Sequence, residues 1–208
     1  SKSLGNVINP IDVIDQYGSD ALRMGIVAGR APAVNRGYDH RKVEEARNFC
    51  NKLWNIARFI EGLEGADLDH HTAKPESAAD HWILTKLQQL EQGLAGDLDS
   101  YRFAEGYDKL YHFIWDELAD WYLEASKEKP NVALLRRILA DVLTLLHPYA
   151  PFVTETIWQT LGWEKDSLLA NRTWPVILKG TEKHAADFEE IKNIVSESRY
   201  IIKALHAK

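Results

Sequence analysis

Residues 41–59, RKVEEARNFCNKLWNIARF, constrain the fold more tightly than any other stretch of the chain. Wound at about 100° per residue, they place Val43, Ala46, Phe49, Cys50, Leu53, Trp54, Ile56, Ala57 and Ile60 on one broad apolar arc. An arc of that width is the face of a helix packed on a core. Arg41, Asn48, Lys52 and Asn55 form a row on the opposite face, and Phe59 stands at its end, where a polar residue is expected. Two readings of Phe59 are open: an aromatic at a helix end covered by a neighbouring loop, or a platform for an unstacked base, which has a π-face and hydrogen-bonding edges.

The remaining periodicity extends this helix into a bundle. A short helix is expected over about 11–17, stopped by Gly18 as a left-handed cap, and a second from Ser19 or Asp20, with Asp20 capping its first turn. Asp39 is placed to cap the long helix, which runs to Gly62 or Gly65. Further helices are expected from Ala78 to Gly93 or beyond, from about Arg102 to Lys127, from Val132 to Leu146, and from Pro151 to Leu161. In the third of these five, Phe103, Tyr107, Leu110, Tyr111, Ile114, Leu118, Trp121 and Tyr122 follow the helical repeat as a core stripe. From Gly162 the pattern changes to a short apolar extended run, TWPVIL, and then to a last helix, 186–205, with Phe188, Ile191, Ile194, Val195 and Ile201 or Ile202 as a narrow buried stripe. The expected fold is mainly α, an antiparallel helix bundle. It divides into an N-terminal segment at 1–40, the bundle at 41–165 and a C-terminal appendage at 166–208.

Chain totals limit what such a bundle can do. With 208 residues and 45% hydrophobic content it can bury a core without staples. The single cysteine, Cys50, allows no internal disulfide and no cysteine-based metal site. His70 and His71 are adjacent and lack a third ligand at a familiar spacing, so they are read as loop residues. No apolar run approaches the roughly 20 residues of a membrane span, and the opening residues have no secretory layout, so a cytoplasmic location is expected. A net charge of −6 excludes a generally basic nucleic-acid coat but allows a local basic strip. No Gly-rich phosphate loop of the GxxxxGK type and no nucleophile elbow is present. Glu44, Glu45, Asp116 and Glu117 read as solvated helix faces.

One short segment carries chemistry. Ser1-Lys2-Ser3-Leu4-Gly5-Asn6 can bring an ammonium group and hydroxyl donors onto a polyphosphate. With Pro10 and Tyr17-Gly18-Ser19-Asp20-Ala21-Leu22-Arg23 behind it, this segment resembles the Lys-Met-Ser-Lys-Ser signature loop of class I aminoacyl-tRNA synthetases, without its first two residues. The resemblance continues through Ala46-Arg47-Asn48-Phe49-Cys50-Asn51-Lys52-Leu53-Trp54-Asn55, Asp80-His81-Trp82-Ile83-Leu84, Tyr101-Arg102-Phe103, Trp121-Tyr122 and His147-Pro148-Tyr149-Ala150-Pro151-Phe152-Val153-Thr154-Glu155. It is nearer to the valyl family than to the isoleucyl, leucyl or methionyl ones, covers about 1–175, and weakens beyond.

The resemblance implies a part of a longer ligase that joins valine to tRNA(Val) using ATP with Mg2+. Lys2, supported by Ser1 and Ser3, would stabilise the ATP phosphates. Residues 7 to about 40 would be the stem-contact segment and the bundle the anticodon-binding domain. The row Arg41, Asn48, Lys52, Asn55 and Phe59 would meet the tRNA. Valine anticodons share adenine and cytosine at their second and third positions, and asparagine can offer donor and acceptor together to a base edge. The nucleotide-binding core and the editing domain are absent from this sequence, so the chain alone is not expected to aminoacylate; its partners would be tRNA(Val) and the rest of the synthetase chain. A helical protein-interaction module, or the same region of an isoleucyl or leucyl enzyme, is the alternative.

Overall fold

The computed structural model describes residues 8–29, 37–65, 70–163 and 167–206. Its helices are α1 (Pro10–Tyr17), α2 (Ser19–Val27), α3 (His40–Glu61), α4 (Ala78–Asp99), α5 (Phe103–His112), α6 (Leu123–Ala125), α7 (Val132–Leu146), α8 (Pro151–Leu161) and α9 (Glu182–His206). A π-helical stretch, Phe113–Tyr122, joins α5 to α6, so the three form one long helix. No strand occurs among the described residues, and the TWPVIL segment runs as irregular chain with Val176 largely in solvent.

Local chemistry explains most helix ends. Asn9 accepts the Ile11 amide ahead of Pro10, and Asp39 accepts the Arg41 amide at 3.0 Å to open α3. Ser77 and Asp80 form a reciprocal capping box at the start of α4. Asn131 accepts the Leu134 amide at the start of α7. Gly162 closes α8 in the left-handed region, at φ 61° and ψ 25°.

Two expected caps differ. Gly18 has a positive φ of 90°, but its ψ of 156° is extended, so it is a sharp corner between α1 and α2 instead of a left-handed helical cap. Asp20 does not cap its own helix. Its carboxylate accepts the amides of Phe152 at 3.3 Å and Val153 at 2.6 Å, at the start of α8. The reason is that α8 begins after Ala150, which has no capping group, so the orphan amides take an acceptor from another helix. Arg23 completes the clamp by donating to the carbonyls of Pro148 and Tyr149. The segments 17–23 and 147–153, distant in sequence, are thus one structural unit.

α2 lies along α3 at very close range. A Cβ on Gly25 would stand 2.7 Å from the Val43 side chain, which only glycine avoids. α3 continues against α7, α8 and the π stretch, and α4 packs on α5, α7, the π stretch and α9. The interior holds Val43, Phe49, Leu53, Ile60, Trp82, Leu87, Leu110, Leu118, Leu139 and Trp158 in one cluster. At one end Asp80 ties three elements: it accepts from the Tyr122 hydroxyl at 2.8 Å, the Asn131 amide at 2.9 Å and the Glu76 and Ser77 backbone.

Two of the expected core stripes are partly corrected. Phe103 is 46% exposed at the start of α5, outside the core. On α9 only Ala185 and Phe188 are buried; Ile191, Ile194, Ile201 and Ile202 are more than half exposed. α9 is held by another set of contacts: Phe188 on Trp82, Glu189 with the Trp82 indole and Lys86, and Lys192 with Glu117 at 3.1 Å. Lys192 also lies over the rings of Trp82 and Trp121, and Arg199 over Trp121. Glu117 therefore serves this seam instead of a solvated face.

Candidate nucleic-acid interface

The α3 polar row starts from a helix that is firmly seated, with Phe49 and Leu53 wholly buried on its other side. Behind the row, burial pushes the Cys50 thiol up to about 12, with the Asp20 carboxylate adding to it, which leaves it protonated and unreactive. Along the row the residues have different surroundings. Arg41 is exposed at the helix start and turns back onto Asp39 at 3.4 Å. Asn48 and Asn55 are exposed, Lys52 and Phe59 half-buried.

Lys52, Asn55 and Phe59 come together in a groove of about 210 Å³ between α3 and the long helix, whose other wall is Ala119, Leu123, Glu124 and Lys127 over a floor that includes Ile56. Arg41 and Asn48 are not part of that lining. Phe59 also packs against the core, so the covered-end and platform readings are both partly satisfied: the neighbour that covers it is a helix, and the cover leaves a cleft. The phosphate-binding group expected at Ser1, Lys2 and Ser3 lies outside the described residues.

The long helix supplies partners that sequence periodicity missed. Lys52 Nζ lies 5.2 Å from the centroid of the Trp115 ring and 3.3 Å from Asp120 Oδ1. On an α-helix, positions five apart differ by about 140° at 100° per residue. In the π stretch the Leu123 amide bonds to the Leu118 carbonyl, five residues back, and positions five apart come onto one side. That register lets one ammonium meet both Trp115 and Asp120. Trp115 in turn stacks on Tyr111 at 5.7 Å and 14°, and Tyr111 leans on buried Phe49, so an aromatic ladder runs from the core to Lys52. Burial, with Glu45 nearby, raises the Tyr111 hydroxyl and keeps it neutral.

Chemically the groove offers an apolar and aromatic floor for a planar ring, two ammonium donors, one amide that both donates and accepts, and one carboxylate. A second groove on the other side of α3, about 260 Å³, is lined by Trp54, Ala57, Arg58, Glu61, Gly62, Ile157, Thr160 and Leu161 and is mainly apolar. Among the described residues no helix is long and apolar enough to cross a membrane, and no cluster of three or more His, Cys, Asp or Glu side chains could hold a metal ion.

Comparison with known proteins agrees with this architecture. Residues 80–208 match the family described as anticodon-binding domain of tRNA ligase, and residues 1–35 match tRNA synthetases class I (I, L, M and V). The first match runs to the last residue, beyond the point near 175 where the resemblance read from motifs weakens. A valine–tRNA ligase of Anoxybacillus flavithermus is 42% identical over 200 residues, covering 89% of this chain and 22% of the relative. One of Bacillus thuringiensis subsp. konkukian is 38% identical over 218 residues, covering 97% of this chain and 24% of the relative. The chain thus spans about a quarter of the length of these curated relatives. The LeuRS of Agrobacterium radiobacter K84, solved as a ternary complex with tRNA and LeuAMS, shares the fold with a TM-score of 0.68 at 22% identity, over 89% of this chain and 22% of that one. The chain belongs to the anticodon-binding domain family of tRNA ligases.

Proposed function

We propose that this member of the anticodon-binding family is the anticodon-reading part of a valine–tRNA ligase, and that the groove between α3 and the long helix receives the anticodon of tRNA(Val). The observation that carries the reading is the meeting of Lys52, Asn55 and Phe59 in that one cleft. A base splayed from the anticodon loop stacks on Phe59, Asn55 reads its edge, and Lys52 meets the phosphate backbone. Arg41 and Asn48, exposed farther along the same row, extend the contact toward the stem. Trp115 and Asp120 position Lys52 before binding, which limits the side-chain entropy lost on association.

In this reading the remaining chain has supporting tasks. The segment 1–40 links to the catalytic part of the longer ligase and carries the stem contact, 41–165 is the reading bundle, and 166–208 is an appendage fastened through α9. Lys2, with Ser1 and Ser3, acts on the phosphates of ATP and its Mg2+ in that longer protein, where the nucleotide supplies the activation of valine. The cytoplasm, where tRNA is charged, is the corresponding location.

The test is a titration of the chain with an RNA anticodon stem–loop carrying the valine anticodon, over a series of salt concentrations. Binding that weakens steeply with salt, as phosphate contacts release counterions, and that is lost when both shared anticodon bases are changed supports the reading. Salt-insensitive binding, or equal binding of both loops, overturns it.

A further inference from the structure

Across the groove from Asn55 and Phe59, Glu124 is the one lining side chain that only accepts hydrogen bonds while ionised. Its carboxylate is met by the Lys127 ammonium at 2.7 Å, and both side chains are more than half exposed. A carboxylate has about four lone-pair sites, so one ammonium leaves acceptor capacity at the cleft. Asp120, the other carboxylate nearby, is already engaged by Lys52 and is not part of the lining. Glu124 and Lys127 therefore present an acceptor and a donor side by side, above the apolar floor of Leu123 and opposite the Phe59 ring.

That pair has a defined complement among the bases. Adenine and cytosine each show an exocyclic amino donor beside a ring-nitrogen acceptor. Guanine and uracil show a carbonyl acceptor beside a ring N–H donor, the reverse order. A carbonyl oxygen brought to the carboxylate finds no donor and meets like charge, so the wrong base is excluded as well as unrewarded. We propose that Glu124 is a specificity-determining residue of this groove, accepting a hydrogen bond from the exocyclic amine of a base seated on Phe59 and so favouring adenine and cytosine over guanine and uracil. The inference rests on the anticodon reading given above. It adds to that reading a residue from the long helix and a chemical rule for which bases are accepted.

Two RNA stem–loops test it, identical except that the second and third anticodon bases are A and C in one and G and U in the other, which keeps purine for purine and pyrimidine for pyrimidine. The wild-type chain is expected to prefer the first by about tenfold or more, the discrimination typical of one well-placed base-edge contact. In Glu124→Gln the amide can donate as well as accept, so the preference should fall to about threefold or less, chiefly through tighter binding of the G,U loop. Glu124 is exposed, so the melting profile by circular dichroism should not change. If Glu124→Gln keeps the wild-type preference, the inference is overturned while the anticodon reading stands. If the wild-type chain shows no preference between the loops, both fall.

Discussion

α3 and α9 are the two helices whose sequences look most alike in plan, each over 20 residues long with an apolar stripe and a charged reverse, yet the fold uses them differently. α3 is enclosed by α2, α7, α8 and the long helix, and most of its stripe is buried. α9 touches the bundle mainly along α4, through Phe188 and a set of charged groups over Trp82 and Trp121, and leaves four isoleucines more than half in solvent. Both also carry an apolar residue where the pattern does not want one. On α3 that residue, Phe59, stands in a cleft with polar walls, whereas Ile194 on α9 stands on an open ridge. An out-of-pattern apolar side chain becomes a candidate site when a second element walls it in.

The sharpest way to break the comparison is to truncate one stripe residue on each helix. Phe49→Ala on α3 should lower stability by about 3–5 kcal/mol, the usual loss for a fully buried phenylalanine, as measured by urea denaturation. Phe59→Ala comes next: it should weaken binding of the valine stem–loop by about 1–3 kcal/mol while lowering the melting temperature much less than Phe49→Ala. A fall in stability equal to that of Phe49→Ala, with binding unchanged, would make Phe59 a packing residue only.

A weaker effect should distinguish the helices in acid. Burial would raise the Glu189 carboxyl, but the hydrogen bonds from Trp82 and Lys86 and the nearby Lys192 outweigh it and hold the group below the usual carboxylate range. Its folded pKa lies below the unfolded value of about 4.3, so its contribution is complete above that value and is lost as pH falls through the folded one. Amides of α9 should accordingly lose exchange protection at a higher pH than those of α3. Glu189→Gln should abolish the pH step, and simultaneous loss of protection in both helices would contradict a separate α9 seam. The smallest effect is Ile194→Ala, which should change stability by less than about 0.5 kcal/mol. A larger loss would mean that the ridge is covered in solution.

The bundle is legible in the sequence because its helices mark their own beginnings. Asp39, Ser77 with Asp80, Asn131 and Pro151 stand where the structure starts α3, α4, α7 and α8, and Gly162 where it stops α8. The role of Asp20 is not legible, because a short carboxylate before a helix can cap any amide within reach, and the sequence does not say that α8 lies there. Of the expected interface row, Lys52, Asn55 and Phe59 line the cleft, while Arg41 and Asn48 do not. Trp115, Asp120, Glu124 and Lys127 escape a reading by periodicity, since the π stretch changes which residues share a side and a fixed angle per residue cannot follow it.

By itself the sequence determined the number and extent of the main helices, the buried face of α3 and the polar row with one aromatic in it. These are properties of single segments, set by periodicity and by caps within three or four residues. Only the tertiary structure decided that Asp20 and Arg23 grip the turn before α8, that α9 keeps its isoleucines outside, and that the α3 row faces a second wall carrying Glu124 and Lys127. Those outcomes depend on which surfaces meet across distances of tens of residues, and a pattern repeating every 3.6 residues holds no record of its partner.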